Sequence, residues 1–289
     1  MTTLVVGTGY TGARLLRRLP ADEALGLSRS LPADTGGRRV DVLSLDGPLE
    51  RLMPDSVYDL VYTVPPAVDS DNDRRLEALL AALATPPRRL VYLSTTGVYG
   101  DRGGAEVDES AAVRPRTDRA KRRVAAETAL GAYAEATDSA VIILRVPGIY
   151  GPDRLMIDRV RDGSPLIRDS EANPGNRIHV EDLVTVCLAA LNPEVPPGVY
   201  NLGDGDRRSS TWFSNRVAAL LELDPPPTVS RAEAEASFSA RRLSFLGESR
   251  QIDTSRMRRV LGVTPRYADA EDGIRASLAE MGLIDAADG

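Results

Sequence analysis

The sequence predicts an α/β protein built on a doubly wound parallel sheet, with a smaller, discontinuous C-terminal α+β lobe. Three features predict it. Short apolar runs alternate with amphipathic segments through the first half, a glycine-rich turn joins the first run to the first amphipathic segment, and the alternation loosens after Gly151-Pro152. Continuous apolar strands separated by helices are the pattern of a parallel sheet covered on both faces.

The elements follow in order. TLVV (3–6) reads as a buried strand and ARLLRRL as the amphipathic helix after the glycine turn. EALGLS (23–28) and RRVDVL (38–43) read as strands joined by a polar segment with room for one helical turn at most. YDLVYTV (58–64) is a fourth strand, NDRRLEALLAALA (72–84) a strongly amphipathic helix, and RRLVYLST (88–95) a fifth strand. A long helix over 117–136 then leads into a sixth strand, AVIILRV (140–146). Beyond Gly151, LMIDRVRDG reads as a short helix, and PLIRDSEANPGNRIHV as an irregular, hairpin-like segment. EDLVTVCLAAL (181–191) is helical and GVYNLGD (198–204) another strand. Two further helices, 210–223 and 268–281, flank a proline- and serine-rich stretch, and the last residues, DAADG, read as a frayed end. The expected division is a nucleotide-binding unit of residues 1–151 plus about 179–204, and a lobe of 152–178 plus 205–289.

Composition narrows the function. At 289 residues, with 42% hydrophobic and 27% charged residues, the chain suits one large domain with an attached lobe. A net charge of −6 argues against a general nucleic-acid or anionic-membrane binder, which needs excess basic surface. No apolar run approaches the roughly 20 residues that span a bilayer. The start, MTTLVVGTGYTG, has no basic segment before its apolar residues, so a cytoplasmic fold is expected. Cys187 is the only cysteine and His179 the only histidine, so the usual zinc ligand set cannot be built and no metal site is expected.

The turn VVGTGYTGARLL carries G-x-G-x-x-G at Gly7, Gly9 and Gly12, between a strand and a helix. In that context Gly7 permits the tight turn, Gly9 lets the backbone approach a pyrophosphate, and Gly12 allows close helix–strand packing. Tyr10 and Thr11 open the helix whose N-terminus would face the anion. A site for NAD(H) places a carboxylate at the end of the second strand, on the adenosine ribose. Here that end is Ser28-Arg29-Ser30, which suits a 2′-phosphate, so NADP(H) is expected over NAD(H). Asp41 and Val42, ending the third strand, are expected to bracket the adenine.

GTGYTG, LSTTGVYG (93–100), the helix bearing Lys121, LRVPGIYGP (144–152) and RIHVEDL (177–183) together resemble the extended short-chain dehydrogenases/reductases. This is the NAD(P)-dependent epimerase/dehydratase superfamily, and STTGVYGDRGG is most similar to its atypical, YeeZ-like branch. The resemblance implies an active site of a Ser or Thr, a Tyr and a Lys, the last two spaced Y-x-x-x-K on one helix. Thr95 and Lys121 match the first and last, but Thr117 stands where the tyrosine is expected. Lys121 is the only lysine among 36 Lys+Arg residues, which favours a specific role in holding the nicotinamide ribose. Threonine is a far weaker acid than a phenol and is a common helix cap. Tyr99 and Tyr150 are therefore candidate relocated proton donors and substrate contacts.

The resemblance also implies that Val64, Pro65, Pro66 and Pro147 flank the nicotinamide half. It implies a homodimer through helices 72–84 and 117–136, and a mainly structural His179 with Asp182. Nucleotide-sugar enzymes of the family often carry a diphosphate-binding arginine three residues before the isoleucine of I-H-V. That position is Gly175 here, with Arg177 shifted next to Ile178 as a candidate substrate residue. The expected function is an NADP(H)-dependent oxidoreductase for a small carbonyl or hydroxyl substrate. A nucleotide-sugar epimerase or dehydratase, and a non-catalytic NADP(H) sensor, are the alternatives.

Overall fold

The computed structural model describes residues 1–32, 34–50, 52 and 57–285. From the amino terminus, β1 (Thr2–Val6) leads through the glycine turn into α1 (Tyr10–Arg18). Then come β2 (Ala24–Ser28), β3 (Arg39–Val42), β4 (Tyr58–Tyr62), α2 (Arg74–Ala82) and β5 (Arg89–Thr95). The short β6 (Glu106–Val107) precedes α3 (Asp118–Ala136) and β7 (Ala140–Val146). The second half runs β8 (Gly148–Tyr150), α4 (Ile157–Arg161), β9 (Leu166–Ile167), β10 (Arg177–His179), α5 (Val180–Ala190) and β11 (Gly198–Asn201). It ends with α6 (Ser210–Leu220), β12 (Thr228–Val229), α7 (Arg231–Ser237), α8 (Ala240–Leu246), β13 (Gln251–Ile252), α9 (Ser255–Val260) and α10 (Ala270–Glu280).

Seven strands form one parallel sheet in the order β11-β7-β5-β4-β1-β2-β3. The chain steps from β1 outward to β3, then returns to build the other half from β4. That reversal leaves a crevice at the carboxyl ends of β1 and β4, where doubly wound sheets bind ligands. Alternating side chains along β1 serve both faces. Val5 packs with Leu15 and Leu16 of α1 and Leu183 and Val186 of α5. Leu4 and Val6 pack with Leu76 and Leu79 of α2 and Ala126 and Leu130 of α3. A separate core, Leu155, Ile157, Val160, Val217, Ile274 and Leu278, holds α4, α6 and α10 together in the second lobe.

The hairpin expected in 165–180 does not form. Its two extended pieces pair elsewhere in parallel, β9 with β12 and β10 with β8. The proline- and serine-rich stretch contains α7, α8 and α9, and β13 pairs back onto β6. All three helices are short, and α7 and α8 are capped by Ser230 and Ser239, residues that read as loop without their context. Of DAADG, only Asp285 is within the described residues.

One buried polar chain ties α3 to three strands. Ser94 of β5 donates to Glu127 of α3 at 2.5 Å, and Arg145 of β7 bonds both Glu127 oxygens at 3.2 and 2.6 Å. Arg145 also donates to the Tyr99 hydroxyl at 2.8 Å, which donates to Asn201 of β11 at 2.7 Å. Removing one member of a buried ion pair leaves its partner uncompensated. Glu127→Ala should therefore cost about 3–5 kcal/mol in urea denaturation, and a loss below about 1 kcal/mol would show that this chain does not anchor the helix.

Candidate functional site

The three glycines of the turn do three different jobs. Gly7 has φ of +92°, and a Cβ there would meet Val64 Cγ2 at 2.7 Å and Thr63 Oγ1 at 2.8 Å. Thr63, just past the end of β4, donates to the Gly7 carbonyl at 2.6 Å and fixes the turn. A Cβ on Gly12 would fall on that same carbonyl oxygen, so only glycine lets α1 approach β1 this closely. Gly9 is exposed, and a Cβ there meets nothing within 4 Å. Gly9 is also the N-cap of α1 and offers no side-chain cap, so the helix start is open to an anion. These residues fit a dinucleotide pyrophosphate. Thr11 is buried, whereas the Tyr10 hydroxyl donates to the Pro152 carbonyl at 2.8 Å and burial pushes its phenol up to about 12. Tyr10 thus links the turn to the second lobe.

At the adenosine end, Ser28 is half-buried and Arg29 and Ser30 are exposed. The nearby carboxylates are already engaged by other arginines. Asp41 accepts from Arg39 at 2.9 and 2.7 Å, and Asp46 from Arg75 at 2.6 and 3.0 Å. The Arg75 bonds hold the Asp46 carboxyl below the usual range, with Arg74 and Arg29 adding to the effect. Val42 lies exposed on the edge strand, and Arg75 also donates to the Pro65 carbonyl at 3.2 Å. Val64 and Pro66 are half-buried behind the glycine turn, as is Pro147 between β7 and β8.

The residues expected to carry catalysis each have local partners. Thr95 caps the turn Thr96–Tyr99, its hydroxyl accepting from Gly97 N at 3.1 Å. Thr117 is the N-cap of α3 and accepts from Ala120 N at 3.3 Å. Lys121 points to solvent, with its ammonium 3.1 Å from Asp118. Tyr99, the expected relocated donor, is fully buried, and its hydroxyl bonds Arg145 and Asn201. Burial pushes its phenol up, so it is poorly placed to release a proton.

Tyr150 is enclosed as well. It lies edge-on to His179 and Phe213, and its buried hydroxyl presses on Gly273 of α10 without a hydrogen-bond partner among the described residues. Arg177, the expected substrate residue, is also turned inward. It is 7% exposed, and its guanidinium donates to the Arg208 and Ser209 carbonyls. Its side chain fills the space beside Gly175, so a larger residue at 175 would collide with it. The cavity beside Arg177, Asp204 and Asp206 measures about 10 Å³, too small for a substrate. Burial pushes the Asp204 carboxyl up to about 8 despite the pull of Arg177. His179 caps α5: Nδ1 accepts from Glu181 N, so the proton is assigned to Nε2, which faces Ser277 at 3.1 Å. Burial brings this imidazole down to about 4, with Arg14 and Arg266 adding to the effect. Asp182 accepts from the Arg266 and Tyr267 backbones, so both residues of the I-H-V-x-D turn are tied into the fold.

Residues 3–203 match the model of the NAD dependent epimerase/dehydratase family. The chain belongs to that family. It is 26% identical over 282 residues to Protein YeeZ of Escherichia coli (strain K12), covering 92% of this chain and 96% of that protein. A functionally unknown conserved protein from Silicibacter pomeroyi DSS shares its structure with a TM-score of 0.79 at 29% identity, covering 97% and 99% of the two chains. MoeE5, solved with UDP-glucose and NAD, shares the fold with a TM-score of 0.75 at 21% identity, covering 98% and 100%. Among the described residues no helix is long and apolar enough to cross a membrane.

Within this epimerase/dehydratase frame the sequence reading missed Thr63, the Ser94–Glu127–Arg145 chain and Asp204. Thr63 had a usable signal, a hydroxyl ending the strand beside β1. Asp204 had none, because an aspartate in G-D-G-D looks like a solvated turn. Two expectations follow. Gly9→Ala should keep the wild-type melting temperature but weaken dinucleotide binding, whereas Gly12→Ala should destabilise by about 1–3 kcal/mol through overpacking. Equal melting losses in both would contradict the separation of roles. For Asp204, the folded carboxyl holds its proton more tightly than the unfolded one, from 3.8 to about 8. Its contribution therefore falls as pH rises through that window and levels off above it. Asp204→Asn should remove that slope, so variant minus wild-type stability should grow between pH 5 and 8. A flat difference would mean that Asp204 is ionised throughout.

Proposed function

We propose that this protein is an NADP(H)-dependent oxidoreductase acting on a small carbonyl or hydroxyl substrate. The observation that carries the reading is the open glycine turn beside an exposed Arg29, with Asp41 and Asp46 already held by Arg39 and Arg75. A free carboxylate at that place would repel a 2′-phosphate, and a guanidinium attracts it. Gly9 and the start of α1 would take the pyrophosphate, and Val64, Pro65, Pro66 and Pro147 would bound the nicotinamide half. The nicotinamide, when bound, supplies the hydride chemistry. Thr95 would orient the reacting oxygen through its hydroxyl, and Lys121 would turn from Asp118 to the ribose. With Tyr99 and Tyr150 enclosed, the proton would come from solvent at the crevice. A homodimer through α2 and α3, in the cytoplasm, completes the proposal.

The position of Lys121 favours a second reading, a nucleotide-binding sensor without turnover. A lysine paired with Asp118 on an exposed face is compatible with cofactor binding alone. The nucleotide-sugar alternative has less support, because Arg177 is enclosed and Gly175 cannot be replaced by arginine without displacing it.

Titrations with NADPH and NADH, followed by nicotinamide fluorescence, test the core of the proposal. Tighter binding of NADPH is expected, with Arg29→Ala reducing the preference about tenfold or more, the scale of one charge-assisted contact. Binding of neither nucleotide would remove the oxidoreductase and sensor readings together. Turnover across a carbonyl panel, gained or raised in Thr117→Tyr, would separate the enzyme from the sensor.

A further inference from the structure

Two guanidinium groups lie over the ring of Tyr10, the first residue of α1. Arg14 is 4.4 Å from the ring centroid and Arg154 is 3.9 Å from it. Their electrostatic situations differ. Arg14 is largely enclosed, donates to the Tyr10 carbonyl, and lies 3.4 Å from Glu181 and 3.6 Å from Glu280. Arg154 is exposed and makes no ion pair among the described residues. Among the described residues, Arg154 therefore brings a guanidinium without an ion-pair partner from the second lobe to the mouth of the glycine turn.

The loop that carries Arg154 is held from several sides. Pro152 is buried, and its carbonyl accepts from the Tyr10 hydroxyl at 2.8 Å. Leu155 is 1% exposed, packed in the core of α4, α6 and α10. Asp153 and Met156 have φ of 63° and 57°, left-handed backbone that non-glycine residues adopt only where the surroundings impose it. With Leu155 anchored inward, Arg154 projects outward and lies over Tyr10. A guanidinium stacked on a ring keeps its edge N–H donors free, in the planar fork that suits a phosphate. The start of α1 supplies only partial positive charge, and a pyrophosphate carries two full negative charges. Asp153 and Glu280 also act on the Tyr10 ring, but Glu280 is engaged by Arg14.

We propose that Arg154 is a pyrophosphate-binding residue, delivered from the second lobe to the glycine turn and held in place by Tyr10. The inference rests on the dinucleotide reading above. It makes the cofactor a bridge between the sheet and the lobe, since one phosphate group would contact both α1 and the 151–156 loop.

The test is calorimetric titration of the full chain at low salt with NADPH, 2′-phospho-ADP-ribose and 2′-AMP, the last of which lacks the pyrophosphate. Arg154→Ala should weaken the first two by about ten- to a hundredfold, the scale of a charge-assisted bond to phosphate, and leave 2′-AMP unchanged. Arg154→Lys should recover only part of the loss, because it keeps the charge without the planar stack. Arg29→Ala should weaken all three, 2′-AMP included. If Arg154→Ala binds NADPH like wild type, the inference fails while the cofactor reading stands. Equal weakening of 2′-AMP in Arg154→Ala would also overturn it, showing general support of the site. If the wild type binds no dinucleotide, the cofactor reading fails and this inference with it.

Discussion

The ion pair of Arg145 with Glu127 fixes how the longest helix sits on the sheet, and much of the site follows from that rotation. Arg145 is 6% exposed, and its charge is tolerable only because Glu127, Tyr99 and the neighbouring strands satisfy it. With Glu127, Leu130 and Ala126 turned inward, each other residue of α3 has its direction set by helical geometry. Lys121, six residues before Glu127, lies about 120° around the helix from it. It therefore emerges on the exposed side, where Asp118 is the nearest carboxylate. The same chain of bonds consumes the Tyr99 hydroxyl. The interaction that holds α3 in place thus also encloses the Tyr99 hydroxyl.

Thr117 has a structural role of its own. Thr117 has extended backbone, and its hydroxyl satisfies the Ala120 N–H, so the helix begins immediately after it. A cap and an acid ask for different side chains: short and hydroxylated for the one, long and phenolic for the other. A tyrosine restored there would give up the cap in exchange for reach into the crevice, so activity and stability would move in opposite directions. Tyr150 cannot compensate, since its ring is enclosed by His179 and Phe213 and its oxygen rests on Gly273.

The fold was legible because its signal is local. Runs of four to eight residues gave β1, β4, β5 and β7 nearly at their true ends, and the glycine turn placed the crevice. The glycine roles were legible for the same reason: a positive φ at Gly7 and tight packing at Gly12 are properties of a short stretch of chain. What was illegible depends on distant partners. Arg177 and Arg154 are both arginines in polar stretches of sequence, and nothing nearby in sequence tells that one is enclosed and the other exposed. The helices α7 to α9 were hidden because each is only six or seven residues long and is stabilised by packing rather than periodicity. The expected hairpin failed because β9 and β10 find partners outside the segment: β12, about sixty residues on, and β8, on the other side of α4.

The placement of these arginines bears on substrate size. A nucleotide sugar brings its own diphosphate and needs a cation in the substrate half of the cleft. Arg177 bonds two backbone carbonyls, and Asp206 lies 3.8 Å from it, so its charge is directed into the junction of the lobes. Arg250, close by, bonds Glu248 at 2.7 Å and the Gly100 carbonyl at 2.8 Å. Freeing Arg250 would break a contact that joins the lobe to the sheet, and freeing Arg177 would break contacts inside the lobe, losses the substrate would have to offset. A neutral carbonyl or hydroxyl substrate makes no such demand. Arg29 and Arg154, both exposed, would flank the proposed dinucleotide track instead, so in the proposed reading the exposed charge serves the cofactor and the substrate is small.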